Sequence, residues 1–260
     1  MGPRIVLRAD VLLNGMLAGI AGIAIWRAWQ ETRAHKDTKQ EVKKRRSISK
    51  LAIRLLMNPL PEQMPDAAYL FHQLDANLDS MIEAAVVLAR KYPRMPLLVT
   101  DVHNDRLPNS IPNGFGGAPL LVERLASAGV PETQVKLIPY DHEANPMIHT
   151  LVEAQLSVRF AKDRGWKNLL VVAVPFHVPR AAMTIASVAG IEHPDLQISS
   201  YPGTPLDWEA ESMHSQGMVG TRYAFLDSEL DRIERYMAKG DIAPYEQLEN
   251  HFARTSFPAR

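Results

Sequence analysis

The stretch 168–190, NLLVVAVPFHVPRAAMTIASVAG, decides how this chain folds. Its first part, 168–176, is the most hydrophobic of the predicted strands and stops at Pro175-Phe176-His177. Its second part, 179–190, has helical spacing and ends at Gly190. A short apolar run followed by a helix predicts a buried strand, a loop and a helix whose first turn accommodates Pro179.

The same alternation of strand and helix runs from 64 to 240. Further strands are predicted at 66–74, 95–102, 134–140 and 195–202, and further helices at 78–93, 117–130, 146–166 and 220–240, with a last helical stretch to about 253. Strands separated by helices indicate right-handed crossovers and a mostly parallel sheet. Near-continuous apolar strands fit a sheet covered on both faces. We therefore expect an α/β fold, a Rossmann-like three-layer sandwich with about five strands.

The N-terminal region differs in kind from this pattern. Residues 11–26, VLLNGMLAGIAGIAIW, predict an apolar helix, although they fall a little short of the ~20 apolar residues that span a bilayer. Gly15 and Gly19 form a G-x-x-x-G pair that permits close helix contact. The segment predicts either a membrane anchor or a hydrophobic helix packed on the protein or on a partner chain, including a second copy of this one.

A basic stretch follows at 27–50 and includes KKRR at 43–46. If the apolar segment is an anchor, this excess of Lys and Arg places the globular domain on the cytoplasmic side of the membrane. A soluble cytoplasmic protein with a solvated basic helix or linker is the alternative. The predicted division of the chain is 1–62, an apolar helix with a basic helical linker, and 63–260, the α/β domain.

Composition excludes several classes of function. The chain has 260 residues, with 29 Lys and Arg against 29 Asp and Glu. As a whole it therefore lacks the excess of positive charge that is typical of nucleic-acid-binding proteins. It has no Cys, which excludes disulfides, thiolate catalysis and Cys-ligated metal. Neither an H-E-x-x-H sequence nor an EF-hand loop occurs, so a metal site is not favoured. The run NGFGGAP at 113–119 is not a nucleotide fingerprint; it predicts an anion cradle or a flexible turn.

Polar side chains follow four successive predicted strands. They include His72, Asp75 and Asn77 after the first strand, Asp101 and His103 after the second, His142 after the third, and His177 and Arg180 after the fourth. Ligands of open parallel sheets bind beyond the carboxyl ends of the strands. We therefore predict a pocket at that edge, with His177 as general acid or base and Asp101 or His103 assisting it. Arg180 is predicted to bind an anionic small molecule through two parallel hydrogen bonds. Helix capping is the alternative role of Asp75 and Asn77.

Several motifs resemble the YdcF/SanA/ElyC-like family, which contains the domain of unknown function 218. The matching stretches are DAAYLF at 66–71, LASAGVP at 125–131, Thr150-Leu151-Val152-Glu153-Ala154, and VPFHVPRAA at 174–182. The resemblance covers about 66–240, and H-x-x-R-A is its most specific part. It implies that Thr150 and Glu153 join the predicted substrate-binding residues Arg180, Asp75, Asn77 and His142. It also implies a Rossmann-like fold, a frequent membrane anchor, a role in envelope or lipid-carrier metabolism, and S-adenosylmethionine as a ligand.

The chain departs from this family at the ligand-contacting edge. VTDVHND stands where the family has Ser-Gly-Gly, and Ser80 or Met81 stands for an Arg of the first helix. Three hypotheses follow. The chain is an enzyme, a hydrolase or transferase acting on a phosphate-bearing or nucleotide-like molecule; a non-catalytic nucleotide or S-adenosylmethionine binding module; or a membrane-tethered scaffold that acts through 11–50.

Overall fold

The computed structural model describes residues 39–108, 111, 114–213 and 218–254 of the chain. Its centre is a five-stranded sheet of order β3-β2-β1-β4-β5. The strands are β1 (Ala67–Leu70), β2 (Leu97–Thr100), β3 (Val135–Ile138), β4 (Asn168–Ala173) and β5 (Gln197–Pro202). All neighbouring strands of this sheet pair in parallel. The predicted α/β fold with a mostly parallel sheet is confirmed.

Helices alternate with these strands and cover both faces of the sheet. They are α1 (Lys39–Leu56), α2 (Asp75–Lys91), α3 (Gly117–Ser127), α4 (Thr150–Asp163), α5 (Val178–Glu192), α6 (Arg222–Lys239) and α7 (Tyr245–Arg254). In β4, Leu169 and Val171 pack in one apolar cluster with α1, α4, α5, α6 and α7, whereas Leu170 and Val172 pack in another with α2 and α3. Because side chains alternate along a strand, an apolar strand that is buried on both faces requires helices on both.

The basic helix α1 is part of this structure. Its residues Ile48, Leu51 and Leu55 are at most 4% exposed and belong to the same apolar cluster as α5 and β5. The predicted division between 62 and 63 stays a prediction, but α1, an 18-residue helix of the first segment, contributes to the core of the second.

The structure adds two features that periodicity does not predict. β3 is one of the two edge strands of the five-stranded sheet, and its Leu137 is 45% exposed. An antiparallel hairpin, β6 (Glu211–Met213) and β7 (Val219–Thr221), precedes α6. Strands of three residues are too short to produce a recognisable alternation, so the helix predicted at 220–240 includes the last two residues of β7 and in the structure begins at Arg222.

The predicted apolar helix at 11–26 lies outside the described residues. Within the described part of the chain, no helix combines the length and the apolar character needed to cross a membrane.

The order of the strands creates a crevice at the carboxyl edge of the sheet. From β1 the chain proceeds to β2 on one side, and it later returns to place β4 on the other side. The loops after β1 and β4 therefore diverge, and such a switch point is where open α/β sheets bind ligands. A small apolar cluster from the loops after β1, β2 and β3 packs over part of this edge; it includes Leu74, Val102, Phe115 and Tyr140.

Candidate functional site

Glu153 lies at the centre of the polar groups on this edge. It is in the first turn of α4 and only 5% exposed. Its Oε1 atom accepts hydrogen bonds from the hydroxyl of Tyr69 at 3.0 Å and from the backbone N–H of His72 at 3.0 Å. Among the described residues, no hydrogen bond reaches Oε2. The carboxyl is therefore anchored through one oxygen, which leaves the other able to exchange a proton.

Burial raises the pKa of Glu153 from 4.5 to about 7, because the charged form loses its hydration. The two hydrogen bonds on Oε1 and the charge of Arg180 act in the opposite direction. The carboxyl therefore titrates near neutral pH, where a general acid or base exchanges its proton most effectively.

His72 and Tyr69 hold this carboxyl in a network below the crevice. The Tyr69 hydroxyl also lies 2.7 Å from Thr100 Oγ1, and His72 Nε2 donates to the Thr100 carbonyl at 2.7 Å. Burial lowers the pKa of His72 to about 4, so its ring is neutral at physiological pH with the proton on Nε2. Burial, followed by the nearby Glu153 charge, raises the pKa of Tyr69 well above its ordinary value. These neighbours therefore keep their protons while Glu153 titrates.

Asp101, His103 and His142 form a second, more exposed group beside it. His103 Nε2 lies 3.1 Å from Asp101 Oδ1, and the backbone N–H of His103 donates to His142 Nε2 at 3.0 Å. The ring of His142 packs edge-on against Tyr140 with 4.9 Å between ring centroids. Burial and, to a lesser extent, the charge of Glu153 raise the pKa of Tyr140 to about 12.

His177, Arg180 and Thr150 form a third group, buried between α4, α5 and α6. Arg180 donates through Nη1 to Thr150 Oγ1 at 2.6 Å and through Nη2 to His177 Nδ1 at 3.0 Å. It also forms an ion pair with Glu229 of α6, through Nε and through Nη2 at 3.1 Å. Arg232 donates to the same carboxylate at 3.0 Å. The guanidinium of Arg180 thus has a carboxylate partner within the protein.

The contact with Arg180 restricts what His177 can do. His177 Nδ1 lies 3.0 Å from Arg180 Nη2, which can only donate a hydrogen bond, and 3.3 Å from Glu229 Oε2, which can only accept one while ionised. His177 is 5% exposed, and the ring of Phe71 packs edge-on against it. Its catalytic role stays a prediction, and its Nδ1 is already engaged by Arg180 and Glu229.

The structure does not bring Asp75 into these three groups. Asp75 is exposed and pairs with Arg124 of α3 at 3.1 Å. Asn77 is 2% exposed and lies on the α2 face, where its Oδ1 accepts from Arg222 Nε at 2.9 Å and from Ser212 Oγ at 3.2 Å. Neither side chain caps α2.

The glycine-rich loop has a structural role in its described part. Gly117 has a φ of +62°, and a Cβ there would lie 2.3 Å from the carbonyl oxygen of Val102. Only glycine permits this close approach, which lets the N–H of Ala118 donate to Val102 O at 2.8 Å. An anion cradle at 113–119 stays a prediction. Within the described residues, no group of three or more His, Asp or Glu side chains is arranged to hold a metal ion.

Sequence reasoning missed Tyr69 and Glu229. A tyrosine inside the apolar run 66–74 is a weak signal, because a buried hydroxyl needs a partner. Glu229 is one of many charged residues in 220–240, and no spacing distinguishes it from its exposed neighbours. Only the packing of α6 against α5 brings it to Arg180.

Comparison with known proteins leaves the family open. No protein-family model matches this chain, and no curated protein matches it significantly.

Proposed function

We propose that this chain is an enzyme that uses Glu153 as a general acid or base on an anionic, phosphate-bearing or nucleotide-like small molecule bound at the carboxyl edge of the sheet. The observation that carries the proposal is the carboxyl of Glu153, buried at the crevice, held through one oxygen, and titrating near pH 7. Asp101, His103 and His142 would assist from the exposed side. We further propose that the chain is a YdcF-like protein of envelope or lipid-carrier metabolism, on the strength of the motifs at 66–182 alone.

The ends of four helices support an anionic substrate. α2, α3, α4 and α5 all begin at this edge, and none of them has a side-chain hydrogen bond at its N-cap within the described structure. Each helix N-terminus carries the positive end of the helix dipole, although the N–H groups of Asp75 in α2 and Ala118 in α3 already donate to backbone carbonyls. Such ends favour phosphate and carboxylate groups.

Glu153 is a better candidate than His177 for the proton transfer. Arg180 and Glu229 both contact Nδ1 of His177, whereas Oε2 of Glu153 receives no hydrogen bond from the described residues. In this proposal His177 and Thr150 hold Arg180 in place, and the charge of Arg180 moderates the pKa of Glu153.

The test compares Glu153→Gln with the wild-type protein on a panel of phosphomonoesters, nucleotides, phosphosugars and S-adenosylmethionine. Loss of the carboxyl should lower kcat by about 10²- to 10⁴-fold while the fold, followed by circular dichroism, is retained. The matched control is Glu83→Gln, an exposed glutamate on α2, which should keep wild-type turnover. Wild-type turnover in Glu153→Gln would overturn the proposal.

The binding-module hypothesis gives a different result in the same panel. Ligand binding by calorimetry, with no product formed by the wild-type protein, would favour a nucleotide or S-adenosylmethionine binding module. The switch-point position of the crevice is the observation that supports this second function.

A further inference from the structure

A pocket lies near this crevice, on the α2 face of the sheet. Ser80 of α2, Val174 and Phe176 of the loop after β4, Trp208 and Arg222 line it together with Asn77. It contains about 200 Å³ of empty space that is partly open to solvent. It has room for about one water-sized group, so a single oxygen of a ligand fits into it.

Two buried polar atoms of this pocket have no partner in the described part of the chain. They are the hydroxyl oxygen of Ser80, a residue that is 0% exposed, and the indole nitrogen of Trp208, a residue that is 9% exposed. Buried donors in native proteins are almost always paired, because leaving one unpaired forfeits its hydration. Trp208 Nε1 is purely a donor, so its missing partner must be an acceptor.

Arg222 adds a positive charge that no carboxylate of the described residues neutralises at ion-pair distance. Its three nitrogens donate only to neutral acceptors: Nε to Asn77 Oδ1 at 2.9 Å, and the two terminal nitrogens to the carbonyls of Asp207 and Ala76, each at 2.9 Å. Arg180, in contrast, is paired with Glu229. Arg222 is also the first residue of α6, so the positive end of that helix adds to its charge.

We propose that this pocket binds an oxyanion, the phosphate or carboxylate group of a small molecule, with one oxygen between Trp208 Nε1 and Ser80 Oγ and the charge balanced by Arg222. The apolar wall of Val174 and Phe176 borders the remainder of the ligand. Phe176 directly precedes His177, so the pocket adjoins the loop that leads to His177. That this anion is part of the substrate rests on the proposed function. That the pocket binds an anion is independent of the proposed function.

The test follows the indole N–H signals of the ¹⁵N-labelled protein by NMR. The chain has four Trp, and the variants Trp208→Phe and Trp166→Phe identify the signal of the pocket and that of a control site. Sodium phosphate and sodium acetate are added separately, against sodium chloride at matched ionic strength. The Trp208 signal should shift and saturate with one or both oxyanions, while the Trp166 signal stays in place. Saturation with phosphate alone or acetate alone identifies the class of ligand.

Variants of the pocket then test the assignment. Arg222→Gln should weaken the apparent affinity by about tenfold or more, because charge-assisted hydrogen bonds are the strong ones. Ser80→Ala removes a hydroxyl that contacts no described partner, so it should fold normally and still weaken binding several-fold. An unshifted Trp208 signal, or unchanged affinity in Ser80→Ala and in a folded Arg222→Gln, overturns the proposal; a buried water is then the partner of both atoms.

Measuring both turnover and the Trp208 signal in each variant tests this inference separately from the proposed function. Glu153→Gln should lose turnover and keep the shift of the Trp208 signal. A Glu153→Gln protein that retains turnover refutes the acid/base role alone, whereas wild-type affinity in the pocket variants refutes the anion pocket alone.

Discussion

At the scale of single residues, burial rather than residue type sets the chemistry. Glu153 and Glu192 both carry a carboxyl, yet Glu192 forms a surface pair with Arg159 and Glu153 is buried against Tyr69. The pKa of Glu153 rises to about 7 because a buried carboxylate loses its hydration. His72, buried beside it, moves in the opposite direction for the same reason, since its charged form is the protonated one.

The raised pKa of Glu153 predicts a specific dependence of stability on pH. Between about pH 4.5 and pH 7 the folded protein keeps a proton that the unfolded chain has lost, so this group lowers the free energy of unfolding as the pH rises. Glu153→Gln removes this effect. Relative to wild type, the variant should gain about 3 kcal/mol of stability between pH 4.5 and pH 8.

Urea unfolding of both proteins at a series of pH values measures this difference. The lowered pKa of His72 gives a contribution of opposite sign, in which stability rises with pH from about 4 to 6.5. It is common to both proteins and cancels in the comparison. A difference between variant and wild type that does not change with pH would show that Glu153 titrates at its ordinary value in the fold.

At the scale of elements, a buried ion pair joins two helices at the site. Glu229 of α6 is 1% exposed and meets both Arg180 of α5 and Arg232 of its own helix. Charges with so little solvent around them are tolerated only when their partners are in place. The pair therefore fixes the position of α6 against α5, and with it the position of His177.

Glu229→Gln should lower the free energy of unfolding by about 3–5 kcal/mol, since it removes the carboxylate from two buried guanidinium groups. Glu192→Gln is the matched control, because its partner Arg159 is 56% exposed; that change should cost no more than about 1 kcal/mol. Chemical denaturation at pH 7 measures both. Equal effects of the two substitutions would mean that the Glu229 pair contributes no more than a surface pair.

At the scale of the whole molecule, α1 closes one face of the sheet. Its basic sequence is also compatible with a solvated helix. In the structure, however, Leu55 is fully buried, and the hydroxyl of Ser200 in β5 donates a hydrogen bond to the carbonyl of Leu55 at 2.7 Å. The exposed side of the helix carries Lys43, Lys44 and Arg46. A single helix thus combines a charged surface with a contribution to the core.

Leu55→Ala should therefore destabilise the protein by about 2–5 kcal/mol, as expected for a leucine removed from a packed core. Leu137→Ala on the edge strand β3 is the matched control; Leu137 is 45% exposed, and its truncation should cost less than about 1.5 kcal/mol. Thermal unfolding followed by circular dichroism compares the two. A negligible effect of Leu55→Ala would mean that α1 is a solvated linker.

The sequence alone determined the class of fold and the edge at which chemistry is to be sought. Runs such as 168–176 are apolar throughout because a parallel strand is buried on both faces, and this signal is local. It was enough to predict the five parallel strands and to place His177 and Arg180 directly after β4, whereas the predicted assistance of His177 by Asp101 or His103 stays a prediction.

Only the tertiary structure decided which of these groups meet and in what electrostatic state. Glu229 reaches Arg180 across 49 residues, Glu153 reaches Tyr69 across 84, and Arg222 reaches Asn77 across 145. Contacts of that sequence separation leave no periodicity in the chain, because they depend on how helices pack against a twisted sheet. The pKa of Glu153 and the charge balance of Arg180 and Arg222 are set by burial and by distant partners, and neither exists before the chain has folded.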